Sequence, residues 1–94
     1  MPAGARFGDV CTGHDGFEPR TCDAGSPDVF INGKGANRVG DHWVTHCDHT
    51  TCHDSTLATG SSTIFINGIA AGRVGDLIAC GSAIAQGSSD TFFG

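Results

Sequence analysis

Tyrosine is absent, tryptophan occurs once, and lysine and arginine together number five in 94 residues. The shortage of positive charge excludes two broad classes. A nucleic-acid binder needs a basic footprint to neutralise phosphates, and a membrane-surface binder needs one for anionic lipid; here the formal net charge is −5. No run approaches the ~20 apolar residues of a transmembrane helix. The opening residues, MPAGARFGD, lack the apolar core of a signal peptide. The expectation is therefore synthesis in the cytoplasm, where thiols stay reduced. With six Phe and one Trp, a single domain over residues 1–94 buries modest apolar area. Scaffolds of that size commonly rely on disulfides, a metal or a partner.

What the chain does have is repetition. Gly25-Ser26 leads into PDVFING, Gly60-Ser61 into STIFING and Gly87-Ser88 into SDTFFG. A Phe stands five residues after each Gly: Phe30, Phe65 and Phe92. Interleaved with these are RFGD at 6–9, RVGD at 38–41 and RVGD at 73–76. The order RxGD, variable loop, Gly-Ser, strand recurs almost three times, the last unit stopping at Gly94.

Each Gly-Ser segment reads as a short strand running into a turn. Asn32-Gly33 and Asn67-Gly68 are signals for two-residue type I′ hairpin turns, whose central residues both need φ > 0. GDHWV and GDLIA are expected to return as partner strands, and helical periodicity is almost missing. The fold class expected is all-β, a small pseudo-threefold cone of hairpins. Strand alternation puts Val29 and Ile31, like Ile64 and Ile66, on one face, and Phe30, Phe65 and Phe92 on the other. Two apolar faces in so small a protein mean either strands sandwiched internally or one face kept for a partner, the partner being the favoured expectation.

GSPDVFINGKGANRVGD and GSSTIFINGIAAGRVGD, with GDLIACGSAIAQGSSDTFFG closing the chain, resemble the PAAR-repeat proteins, the spike tips of type VI secretion systems and contractile phage tails. The resemblance spans essentially the whole chain. Gly35-Ala36-Asn37-Arg38 and Ala70-Ala71-Gly72-Arg73 stand where that family has Pro-Ala-Ala-Arg; the arginine is kept and the proline's fixed φ is lost. The resemblance implies a cone with a zinc near its point, held by three His and one Cys. Its base is expected to sit on a trimeric β-helical spike, VgrG or a phage central spike protein. A lone chain with three internal repeats matches a trimer's three equivalent edges, so one monomer on the threefold axis is expected. The chain reads as a bare tip without effector extension, carried outside the cell and through a target membrane on contraction.

Four of the five histidines and two of the five cysteines fall within residues 42–53, more donors than one site needs. The repeat serves as a ruler. His14 lies five residues after Asp9, His46 five after Asp41, and Cys80 four after Asp76. The irregular stretch 47–53 must then supply the fourth donor, and His53 fits. His14, His46, His53 and Cys80 form a set suited to tetrahedral Zn²⁺, iron being the alternative. His42 and His49 are expected to lie off the site. Cys47 and Cys52 are expected either paired or as free thiols, or as partners of His46 and His53 in a local zinc loop. Cys11 and Cys22 are candidates to pair with each other, and Trp43 to anchor the second face.

The function expected is structural, a rigid point that docks through Phe30, Phe65 and Phe92. The alternatives are a small zinc hydrolase and a disulfide-stapled secreted domain. Against the hydrolase stand a thiolate in the fourth position and the expectation that no glutamate lies near the cluster as a base, Glu18 being the only one in the chain.

Overall fold

The computed structural model describes residues 1–13, 17–47 and 51–94. Asn-Gly at both hairpin tips adopts the backbone that the residue types demand. Asn32 and Asn67 have φ of 54° and 55°, and the glycines after them 76° and 77°. The turns join β1 (Phe30–Ile31) to β2 (Lys34–Gly35) and β5 (Phe65–Ile66) to β6 (Ile69–Ala70). Partners face each other as Ile31↔Lys34 and Ile66↔Ile69, so two-residue loops close both ladders. Between these hairpins lies a longer one, β3 (His42–Cys47) paired antiparallel with β4 (Cys52–Thr56). No helix occurs among the described residues.

The return strands differ from the expectation. A two-residue turn pairs the residues next to it, so β2 and β6 close the hairpins rather than GDHWV and GDLIA. GDHWV runs into β3, whose partner is β4, and GDLIA makes only the isolated bridges Leu57↔Ile78 and Leu77↔Ala83. Val29 also departs from the expected inward face: Ile31 is 6% exposed and Val29 38%. The hydroxyl oxygen of Ser26 accepts the Val29 amide at 2.9 Å. That side-chain turn keeps Val29 out of the strand, and alternation starts only at Phe30.

The three units close on themselves through a cyclic set of backbone hydrogen bonds. Ala5 N–H donates to Gly72, Gly72 to Asn37 and Asn37 to Ala5, at 2.8–3.0 Å. All three residues immediately precede the arginine of an RxGD turn. Asn37 is the only large side chain of the three; a Cβ at Gly72 would stand 2.9 Å from its Oδ1 and 2.7 Å from Leu57 Cδ2. Room for the asparagine exists because its sister positions are small.

The same threefold relation repeats in the core. Cys22, Leu57 and Ile84 each donate a backbone N–H to the Asp of an RxGD turn and accept one from the glycine before it. They bridge in turn to Trp43, Ile78 and Cys11, the residues two beyond those aspartates. All six are buried and form one cluster. Nearer the hairpin tips, Ile31 and Ile66 form a second cluster with Ala36 and Ala71, against which Phe93 packs. Trp43, at 2% exposure, is the core anchor that the sequence suggests. Cys11 and Cys22 are free thiols, a correction to the suggested pairing: Cys11 Sγ accepts the Arg20 amide, while Cys22 Sγ donates to the Ala24 carbonyl and accepts from Asn37 Nδ2. The molecule measures 38 × 24 × 21 Å, a small β cone.

Candidate functional site at the tip and the base

Each RxGD turn is locked by its own side chains. The Arg6 guanidinium grips Asp9 through Nε at 3.0 Å and Nη2 at 2.9 Å, and Asp9 Oδ2 also accepts the Arg6 amide at 2.7 Å. Arg38 with Asp41 and Arg73 with Asp76 do the same. The aspartate amide closes each turn onto the arginine carbonyl at 3.0 Å, and Gly8, Gly40 and Gly75 sit at φ of 88°, 91° and 94°, as the third position of a type II turn requires. The second of these turns leads directly into β3.

There, a β-bulge decides which side chains point inward. His42↔Thr56 and Trp43↔Ser55 share one register, while His46↔His53 and Cys47↔Cys52 share another, shifted between Trp43 and His46. Two residues, Val44 and Thr45, thus oppose Asp54. In a regular strand, residues three apart face opposite sides; the extra residue lets Trp43 and His46 both face in. Accordingly both are buried and Thr45 is exposed.

The bulge brings His46 Nε2 within 2.6 Å of His53 Nε2. Cys80, in the tight turn closed by the Gly81 amide on the Ile78 carbonyl at 2.9 Å, completes a group. One ligand atom each from His46, His53 and Cys80 lie within 4.8 Å of one another. The other nitrogen of His46, Nδ1, meets the Glu18 carbonyl at 2.7 Å. A carbonyl can only accept, so it holds the proton on Nδ1 and leaves Nε2 with its lone pair towards the group. Phe17 covers both rings, at centroid distances of 4.9 Å from His46 and 4.2 Å from His53. Two imidazoles and a thiol converging with one tautomer fixed fit a tetrahedral, borderline-soft ion.

The structure thus brings together His46, His53 and Cys80 of the four expected donors. His14 lies outside the described residues, as does His49. His42 is used elsewhere: Nδ1 meets Asp23 at 2.6 Å and Nε2 meets Asp54 at 2.7 Å. Hydrogen bonds from Asp54 and then Asp23 raise its pKa above the ordinary value. Cys47 and Cys52 form a disulfide, which removes them from the donor set and overturns the local zinc loop. Phe17 and the Glu18 carbonyl escaped the sequence reading, and Glu18, expected away from the cluster, lies against His46. An aromatic in the loop after His14 was a faint signal for the first; a backbone carbonyl leaves none for the second.

In the three Gly-Ser segments, Phe30, Phe65 and Phe92 are 59%, 58% and 49% exposed. Beneath them runs a threefold polar network. Asn67 Oδ1 accepts from Ser26 Oγ at 2.6 Å and Arg38 Nη1 at 3.2 Å. Asn32 Oδ1 accepts from Ser88 Oγ at 2.6 Å and Arg6 Nη1 at 3.0 Å. In the third unit Gly94 falls at the asparagine position, and its backbone oxygen takes the bonds from Ser61 Oγ at 2.6 Å and Arg73 Nη1 at 3.0 Å. Each of these positions is therefore tied to the Gly-Ser turn of another unit and to the RxGD turn that opens its own.

A family model described as the PAAR motif matches residues 8–86, and the chain belongs to that family. It is a family of structural spike-tip proteins of the type VI secretion and phage kind, associated with spike proteins and with delivery outside the cell. No curated protein matches the chain.

Proposed function

We propose that this chain caps the blunt end of a trimeric β-helical spike, VgrG-like or a phage central spike, and sharpens it for passage through a target membrane. One observation carries the reading: three large aromatic side chains stand exposed at equivalent positions on a base built from three repeats. Exposed apolar groups in a patterned array mark an interaction surface, and a threefold array suits a threefold partner. Phe65→Asp, on an exposed position, should leave the fold intact and weaken binding to a trimeric spike by tenfold or more (about 1.4 kcal/mol). Unchanged affinity would remove the docking face from this surface.

At the tip, His46, His53 and Cys80, joined by His14, would hold Zn²⁺. The ion would cross-link the loops that carry these donors. We read the role as structural rather than hydrolytic, a reading supported, among the described residues, by the engagement of two nearby carboxylates: Glu18 pairs with Arg20 at 3.1 Å and Asp54 with His42 at 2.7 Å. Metal-dependent hydrolase turnover that disappears in His46→Ala would overturn the structural assignment.

A further inference from the structure

The tip hairpin contains chemistry that neither docking nor metal binding uses. The disulfide between Cys47 and Cys52 spans β3 and β4 on the rung next to His46↔His53. Both cysteines are exposed, whereas His46 is buried and His53 half-buried. The Val44–Thr45 bulge separates this end of the ladder from the register of Trp43↔Ser55, so the outer two rungs are not held in step by the inner ones. A slip by one residue would carry His53 to the opposite face. A covalent bond on the adjacent rung forbids that slip.

We infer that the Cys47–Cys52 disulfide is a redox latch for the apex: closed, it holds His46 and His53 in the facing register that retains a metal; open, it lets the pair part and the metal leave. The inference rests on reading His46, His53 and Cys80 as a metal site. The chemistry is thiol–disulfide exchange with a low-molecular-weight disulfide such as oxidised glutathione. One cysteine thiolate attacks a sulfur of the reagent, forming a mixed disulfide and expelling one reagent thiolate. The second cysteine thiolate then attacks the protein sulfur of that mixed disulfide and expels the second reagent thiolate. Two electrons pass from the cysteine pair to the reagent, and the two cysteine protons end on the released thiols. A small thiol reverses the sequence.

Position selects this pair for the exchange. Cys11 and Cys22 are 3% and 1% exposed, and burial pushes the Cys22 thiol up to about 12, where thiolate is scarce. Cys80 belongs to the proposed donor set. A thiol-rich compartment would therefore keep the latch open, and an oxidising one would close it.

The test loads the whole chain with zinc and follows its transfer to a chromogenic chelator. One sample is oxidised with glutathione disulfide, a second is reduced with a phosphine, and a third is the Cys47→Ser/Cys52→Ser variant. Release from the reduced protein and the variant should be at least about tenfold faster than from the oxidised protein, with the variant indifferent to redox reagents. Equal rates from forms that each hold one zinc overturn the latch and leave the metal site standing. Slower release on reduction, as new thiolate ligands would give, overturns it too. Absence of zinc from every form overturns the metal site and the latch with it. Amide exchange along β3 and β4 in the unsubstituted chain gives a second readout should the variant fold poorly. Reduction should speed it about tenfold, and unchanged exchange contradicts the latch.

Discussion

The strongest constraints on single residues are the three arginine–aspartate locks, which lie deeper than the pair Arg20–Glu18. The side chains of Arg6 and Asp9 are 10% and 1% exposed, while those of Arg20 and Glu18 are 31% and 71%. Removing one partner of a buried pair strands the other's charge, whereas an exposed pair is screened and contributes little. Asp9→Ala should destabilise by about 3 kcal/mol or more and Glu18→Gln by less than about 1 kcal/mol, both read from denaturant unfolding. His42 gives a pH signature. Its pKa is raised by Asp54 and Asp23, and that of Asp54 is lowered by His42. A raised histidine contributes stability that is complete below its unfolded value and fades as pH climbs through the folded one. The lowered carboxylate contributes above its own unfolded value and fades in acid. The destabilisation caused by His42→Gln should therefore be larger near pH ~5.5 than near pH ~9; a difference growing with pH would contradict the triad. His42→Ala should also leave zinc content intact, as should His49→Ala. Single alanine substitutions at His14, His46, His53 or Cys80 should empty the site, measured by metal analysis. Structural zinc supplies roughly 10–16 kcal/mol of apparent binding free energy, so the same four should melt earlier.

Among the elements, the β3–β4 hairpin shows how a one-residue irregularity selects ligands. Exchanging neighbours, Thr45→His with His46→Thr, preserves composition but moves the imidazole to the exposed side of the bulge. Zinc binding should be lost while the base hairpins survive. In an unbulged strand position 45 would share the face of Trp43, so a variant that still binds zinc would disprove the bulge. This irregularity was not legible in HWVTH: a bulge is a property of pairing, and nothing in the local residue types marks it. The ruler from Asp41 still reached His46, because the repeat measures distance along the chain whatever the intervening geometry. Asn-Gly, by contrast, was fully legible, since positive φ at both positions is a local demand that those two residues meet. Partner strands were not, because the sequence shows which segments are extended but not which of them meet.

For the whole molecule, three repeats on one chain produce near-symmetry in the bonds that matter, from the Ala5–Gly72–Asn37 ring to the serine contacts at the base. The repeat, and the placing of Phe30, Phe65 and Phe92 on one face, could be read from periodicity; that this face is the exposed one could not, because alternation alone leaves either face free to be core. The polar network beneath them could not: Ser26, Asn67 and Arg38 are 41 and 29 residues apart along the chain, and only closure brings them together. Gly72→Ala should destabilise the cone, because the added methyl meets Asn37 and Leu57 on the axis; smaller loss in an Asn37→Ala background would locate the strain there. The central claim is that one chain with three repeats caps one trimer. Native mass spectrometry of the chain mixed with a recombinant trimeric β-helical spike tests it most directly. The account predicts one chain per three spike protomers, with the complex lost for Phe65→Asp; three chains per trimer, or a complex indifferent to that substitution, would contradict it.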